Sequence, residues 1–319
     1  MKNALSQIDW RSPNTYVFFG VQVIGVIWLL SMIWRGSVGS LSSENIVVIT
    51  VMIMSRYIIG MWFITVWRHR YFSHRSFKIS ESFQWLENVA AFISSADAQR
   101  GVCQWAAEHV WHHRYSDKPE DHHSCKRYVE ERGGKAWCHW LWVVKEGGER
   151  EVDWSIIPHL AKNRFLRWIE SRQWIGIVTG GGIFSLTGGL LSVGGFDSFI
   201  WNFIYSLCAY FFATTILWHG TFLINSAMHL VGDQPYDTDD ESRNSLALSL
   251  ITLGEGWHNN HHWDYPSIST LKRLKSQGAQ VKRDSSSKYW QAKTPLQKCF
   301  DWSGISIWIF IRLGIFKSL

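Results

Sequence analysis

Hydrophobic residues along the chain gather in long uncharged runs divided by charge-rich stretches. Between Arg11 and Arg35 lie 23 uncharged residues, more than the roughly 20 that carry a helix across a bilayer. Residues 45–67 form a second run, interrupted by Arg56. A charge inside a span is costly, so Arg56 should face protein and bond backbone carbonyls, or snorkel. The short Gly/Ser-rich link 36–44 suits a tight hairpin. Residues 173–196 are uncharged and hold eight Gly, which allow membrane helices to approach closely. No Asp, Glu, Lys or Arg then occurs from Ser198 to Gly232. The pattern predicts one all-α integral membrane domain over residues 1–319, with four transmembrane helices forming two hairpins. The spans are placed at about 13–34, 45–67, 173–196 and 198–222. Lacking a small-residue cleavage site, the first run reads as a retained span.

The stretches between change character. Residues 68–172 and 223–319 are basic and amphipathic, and they predict a cytoplasmic helical cap lying partly in the interface. Their Lys and Arg suit the cytoplasmic side. The tail 299–319 looks interfacial rather than spanning. Composition sharpens this picture: 21 Trp and a formal charge of +6 fit a membrane interface and anionic headgroups. No nucleic-acid motif accompanies the positive charge. The five Cys show no paired spacing and read as reduced thiols facing a reducing compartment.

Histidine supplies the chemistry. Most of the 14 His cluster inside the predicted cap, and neutral imidazole is the commonest protein metal ligand. His109, His112 and His113 are spaced i, i+3, i+4, one face of a helix, and can bind one ion or divide between two. His258, His261 and His262 repeat that spacing. His69 and His74 are five apart, a poorer alignment that places them at a helix end or on different ions. Asn225 and His229 are i, i+4 on the projected fourth helix. Nine imidazoles exceed what one ion accepts, so two ions are implied. Ligand type alone leaves zinc, copper, iron and nickel open. The HVWHH and HNNHH runs lack the internal Glu of a zinc hydrolase HExxH.

These segments resemble membrane fatty-acyl desaturases of the acyl-CoA Δ9 type. His69-Arg70-Tyr71-Phe72-Ser73-His74 resembles their first histidine box, and Glu108-His109-Val110-Trp111-His112-His113 the second. Gly254-Glu255-Gly256-Trp257-His258-Asn259-Asn260-His261-His262 resembles the third. Asn225-Ser226-Ala227-Met228-His229 is similar to a segment supplying a further ligand, and the loop 237–244 is also similar. The resemblance covers about residues 68–266. It implies two iron ions (Fe2+) held by His69, His74, His109, His112, His113, His229, His258, His261 and His262, with Asn225 reaching one ion through water. It implies O2 as co-substrate and an external electron donor, whether ferredoxin, rubredoxin or cytochrome b5; no fused cytochrome b5 domain is visible. The expected reaction leaves a cis double bond, at Δ9, in a saturated fatty-acyl chain, with acyl-CoA the first substrate expected. Acyl carrier protein and glycerolipid are left open, because the Arg that often precedes the second box is missing. The expected setting is the bilayer of a bacterial inner membrane, or of the endoplasmic reticulum, with the site cytoplasmic. Glu108, Asn259 and Asn260 are expected to support ligands from behind, Glu108 by accepting a ligand N–H. Phe222, Trp105 and Trp257 are candidate walls of an acyl tunnel. The resemblance has departures: Ala107-Glu108 replaces a frequent Arg-Asp, Phe222 a frequent Trp, and Cys125 a frequent Pro.

Plainer roles go to the rest. His122 and His123 read as solvated or supporting, and His139, His159 and His219 as structural. The basic stretch 272–298 reads as a solvated face, and residues 237–241 as an acidic surface loop. The rival functions are a related di-iron hydroxylase or alkane monooxygenase, and a membrane metal or haem carrier. A carrier needs ligands spread along a membrane path.

Overall fold

The computed structural model describes residues 4–125, 135–145, 151–269 and 300–319. Helix α1 spans Pro13–Ser37. Its first turn is prepared by Pro13 and by Ser12, whose side chain accepts from the Asn14 N–H at 3.2 Å. Helix α2, Ser43–Trp62, is capped likewise by Ser42 on the Asn45 N–H at 3.1 Å. It does not stop where its apolar run stops. The chain continues through Phe63–Ser73 with a wider π-type winding, so one 31-residue helix reaches the first histidines.

Helix α3 (Trp85–Ser95), α4 (Val102–Tyr115) and α5 (Arg164–Glu170) form a layer beyond the apolar helices. Their core holds Phe72, Phe77, Ala106, Ile157 and Leu166. Helix α6 is Trp174–Leu190 and α7 is Phe199–Asn225. Short helices α8 (Leu246–Ile251) and α9 (His258–Trp263) follow, then α10 (Trp302–Arg312). Strands β1 (Phe77–Ile79) and β2 (Phe316–Ser318) pair antiparallel, with Phe77 opposite Ser318. This small sheet ties the chain end beside the first histidine segment, and hydropathy gives no sign of it.

Helix α7 is the central post, with α1, α2 and α6 packed along it. At the α1–α7 crossing a Cβ on Gly25 would stand 2.8 Å from the Phe212 Cα, so only glycine permits the approach. Outward faces carry exposed Val23, Ile27, Val51, Ile58, Val178 and Ile183, an apolar band suited to lipid rather than water. Among the described residues three helices are long and apolar enough to cross a membrane: Pro13–Ser37, Ser43–Ser73 and Phe199–His229. Helix α6 has 17 residues, about 25 Å at 1.5 Å per residue, short of a bilayer core of about 30 Å. The run 173–196 expected to span thus yields a shorter helix ending in a turn. Arg56 donates to the Ala96 carbonyl at 2.7 Å, the structural role its sequence position suggested.

One cysteine reading is overturned. Cys125 and Cys138, taken as reduced thiols, form a disulfide with Cα atoms 5.3 Å apart. The spacing of 13 residues along the sequence does not reveal this pairing. Cys103 and Cys208 are free. The basic stretch 272–298 lies outside the described residues.

Candidate metal centre

The nine histidines singled out in sequence converge. His69, His74, His109, His113 and His261 form one group that could hold a metal ion, and His112, His229, His258 and His262 form a second; within each, the candidate ligand atoms lie within 4.8 Å of one another. Neither HxxHH run serves a single group. On an α-helix, i and i+4 differ by about 40° of rotation while i+3 falls on the other side of i. Accordingly His109 and His113 join the first group and His112 the second, while His258 and His262 join the second and His261 the first. The boxes divide two to one in opposite senses.

The pair His69/His74, expected to be poorly aligned, falls in a single group. The π-type winding is the reason: the His74 N–H donates to the His69 carbonyl, a five-residue step, at 3.1 Å. In such a turn residues five apart lie over one another. Short π segments of this kind recur at functional sites.

Carboxylates behind the rings fix their tautomers. His229 Nδ1 lies 2.9 Å from Asp117 Oδ2, His112 Nδ1 3.0 Å from Asp121 Oδ2, and His262 Nδ1 2.6 Å from Asp240 Oδ2. His69 Nδ1 lies 3.0 Å from Glu255 Oε2. The three aspartates accept from Nδ1 in hydrogen bonds, and the nearby Glu255 charge favours the His69 proton on the same atom, which leaves the Nε2 lone pairs facing inward. Those inward nitrogens crowd: His229 and His262 Nε2 each stand 3.1 Å from His258 Nε2, and His261 Nε2 stands 2.9 Å from both His69 and His113. One ring can donate only one Nε2 proton, so lone pairs face lone pairs unless a cation lies between them. Nitrogens about 2.1 Å from a shared ion are about 3.0 Å apart at a right angle, against about 3.4 Å in a tetrahedron. The donor sets therefore fit an ion with more than four ligands better than a closed tetrahedral zinc site.

Electrostatics agree. Burial, then mutual repulsion, holds His74, His109, His113, His258 and His261 well below the ordinary imidazole value, so they are neutral and able to bind a cation. Burial alone would raise Asp117, but His229 and the Glu241 N–H bring it to about 2. Asp121 and Asp240 are likewise pulled well below the carboxylate range, against burial, by His112 and His262.

These carboxylates went unread in the sequence. Asp117 lies two residues beyond the end of α4 in left-handed backbone, φ 58°, which Asp tolerates better than most residues. The surface-loop reading of 237–241 holds at exposed Asp237 and Asp239 but not at Asp240, whose side chain turns inward, with Ser242 and Thr238 donating to its second oxygen. Asn259 supports that loop rather than a ligand. It accepts from the Tyr236 N–H at 2.8 Å and donates to the Tyr236 carbonyl at 3.2 Å. The Asn260 side chain accepts from Asn244 at 2.6 Å. Glu108, expected to accept from a ligand, instead pairs with Arg100 and accepts from Gln104. His123 is not a solvated group: its ring centroid lies 4.4 Å from that of His112, and burial, with His112, takes it down to about 3 against the pull of Asp121. His122 is half-buried, its ring 6.1 Å from Trp111.

The tunnel candidates separate. Trp105 stacks on His109 at 5.0 Å and meets Met61, Ile64 and Leu217, an apolar wall beside the five-histidine group. Phe222 belongs to another aromatic cluster with Phe18 and Trp218, where His139 links Ser226 to His219 and His219 reaches Gln22. Trp257 is buried, and its indole N–H donates to the Phe300 carbonyl at 2.9 Å. Asn225 ends α7 half-buried, four residues before His229.

A mostly helical frame presenting two adjacent histidine groups able to hold metal ions, beside an apolar wall, defines a class of membrane protein. Residues 45–272 match the fatty acid desaturase family, and the chain belongs to that family. It is 32% identical over 205 residues to the sn-2 palmitoyl-lipid 9-desaturase of Nostoc sp. (strain 36), covering 63% of this chain and 64% of that protein. It is 28% identical over 254 residues to the hex-5-enoyl-[acyl-carrier protein] acetylenase of Moorena producens (strain JHB), covering 76% and 72%. It is 27% identical over 256 residues to the sn-1 stearoyl-lipid 9-desaturase of Anabaena variabilis, covering 80% and 82%. The match to the Nostoc protein spans just under two thirds of that protein's length.

Proposed function

We propose that the chain is an O2-dependent di-iron acyl desaturase that introduces a cis double bond, at Δ9, into a saturated fatty-acyl chain. The observation carrying this reading is the convergence of nine imidazoles, four of them backed by carboxylates, into two adjacent groups with inward-facing Nε2 atoms. Two Fe2+ ions, with O2 and two electrons, would supply the removal of hydrogen from unactivated methylenes, which no side-chain acid or base can achieve. His69, His74, His109, His113 and His261 would hold one ion and His112, His229, His258 and His262 the other, with Asn225 contributing through water.

The remaining work is positional. Asp117, Asp121, Asp240 and Glu255 keep the rings in one tautomer and orientation. Trp105, Met61, Ile64 and Leu217 exclude water beside the first group and hold an alkyl chain by shape. On a featureless chain, orientation alone decides which methylene is presented. Acyl-CoA is the substrate first expected. A glycerolipid-linked acyl chain is the second reading, favoured by relatives named palmitoyl-lipid and stearoyl-lipid 9-desaturases. Electrons would come from a carrier protein such as ferredoxin, rubredoxin or cytochrome b5. The protein would be multi-pass, with α6 as the fourth and shortest span, the site on the cytoplasmic face, and the bacterial inner membrane or endoplasmic reticulum as its location.

Expression in a host lacking the activity, beside His261→Ala, tests this by lipid analysis. The wild type should add a cis-monoene that the variant does not. Equal amounts from both would refute the metal assignment, and a hydroxylated product would make the chain a related oxygenase.

A further inference from the structure

The carboxylate behind His69 is itself held from the far end of the chain. Arg70 Nη2 lies 3.2 Å from Glu255 Oε1 and 3.0 Å from Asp301 Oδ1, so one nitrogen is shared by two acids. Glu255 in turn places Oε2 3.0 Å from His69 Nδ1. All three charged groups are about 98% buried, in a setting where charge–charge contacts are poorly screened. Asp301 is fixed on its other sides too. Its Oδ1 accepts from the Gly304 N–H at 2.9 Å, capping α10, and its Oδ2 accepts from Ser269 at 2.9 Å.

Gly254 explains how the chain end comes so near. Its φ of +115° is open to glycine, and a Cβ there would stand 2.6 Å from Asp301 Oδ1. The backbone leading into Glu255 is thus pressed against Asp301. Further bonds lock the seam: the Ser303 N–H donates to the Leu253 carbonyl at 3.1 Å, and Ser303 meets Thr65 of the first histidine helix at 2.7 Å.

We infer that Asp301 is a positioning residue for the five-histidine group, acting through Arg70 and Glu255 on the ring of His69. With Asp301 in place the Arg70 charge is divided between two carboxylates, and Glu255 keeps an oxygen for His69. Without that charge Arg70 draws Glu255 to itself, and the His69 ring loses the carboxylate whose charge favours its proton on Nδ1. His69 belongs to neither HxxHH run and serves only the first group, so the effect falls on one ion. The inference rests on the metal-centre reading above.

Asp301→Asn tests it, because Asn caps a helix as well as Asp and so removes charge while sparing the α10 cap. Purified wild type, Asp301→Asn, Glu255→Gln and the double variant are dialysed anaerobically against graded Fe2+, and ions per chain are counted. Wild type should take two equivalents. Asp301→Asn should weaken one of them 10- to 100-fold, the range for changes behind a metal ligand, and leave the other unchanged. The double variant should be no weaker than Glu255→Gln alone. Equal weakening of both equivalents, which a merely structural role would give, overturns the inference. Wild-type affinity in Asp301→Asn, or additive losses in the double variant, overturns it while the metal reading stands. A wild type that takes no iron overturns both.

Discussion

Asp240→Asn is the sharpest probe of the tautomer argument. One carboxylate oxygen of Asp240 faces His262 Nδ1 at 2.6 Å, and the other accepts from the Ser242 N–H at 2.9 Å and from the hydroxyls of Ser242 and Thr238. An amide cannot satisfy both sides. If its NH2 faces His262, two donors meet, and the ring must move its proton to Nε2, where it blocks the metal lone pair. If its NH2 faces the other way, it opposes the Ser242 N–H, which cannot reverse. Either arrangement forfeits one buried charge-assisted bond, worth about 1.5–3 kcal/mol, equivalent to roughly 10- to 100-fold in an equilibrium constant. The loss should appear in the group holding His112, His229, His258 and His262. Iron titration of the purified variant should show one equivalent weakened by that factor, with desaturated product reduced at least as much. Wild-type affinity for both ions would refute the argument that Asp240 sets the His262 tautomer.

Three further outcomes follow from the packing. Glu170 accepts from the Cys103 and Gln104 N–H groups at 2.8 and 3.1 Å, capping α4, and its burial raises its pKa above the ordinary 4.5. A carboxyl raised in the folded state favours folding while protonated, so that contribution is lost as pH rises from about 4.5 through the folded-state value. Glu170→Gln should flatten this part of the stability–pH curve, and an unchanged curve in thermal melts would exclude Glu170 as its source. Gly25→Leu should force α1 off α7 at Phe212 and cost about 1–3 kcal/mol of stability, read as a lower midpoint in detergent unfolding. Cys125→Ser should remove the bridge to Cys138, closed over a sequence separation of 13, and cost about 2–4 kcal/mol. Maleimide labelling of denatured wild type should leave both cysteines unmodified until a dithiol is added, and labelling without reductant would refute the pairing.

Much of this site is legible in the chain because metal ligation demands a residue type and a spacing at once. The i, i+3, i+4 rows of His109–His113 and His258–His262 announce themselves. Their division between two groups does not, since one helical face is compatible with one ion or two. The partnership of His69 with His74 was hidden for a different reason: sequence reasoning assumes 3.6 residues per turn, and the winding over Phe63–Ser73 is wider. The supporting acids Asp117, Asp121, Asp240 and Glu255 were visible only as charges near histidines, and a charge in a polar stretch defaults to the surface. Glu108 shows the converse error, because adjacency to His109 placed it behind a ligand when the local pairing is with Arg100. Hydropathy located the apolar helices but carried the third apolar run past the helix end at Leu190, since an uncharged run records composition and not where the helix ends.

The opposite division of the two HxxHH runs gives the site a property that neither run has alone. Helix α4 lends two rings to the first group and one to the second, and α9 lends one to the first and two to the second. Each helix is therefore cross-braced to both groups, and a rigid shift of either would disturb both at once. The remaining histidines, His69 and His74 in the first group and His229 in the second, come from the ends of the long apolar helices. The groups are thus differentiated by the apolar helices and coupled by α4 and α9. A change behind His69 or His262 can act on one group alone, whereas displacement of α4, for instance by removing its Glu170 cap, acts on both. The geometry separates these cases before any activity is measured, because ions lost per chain count how many groups a perturbation has reached.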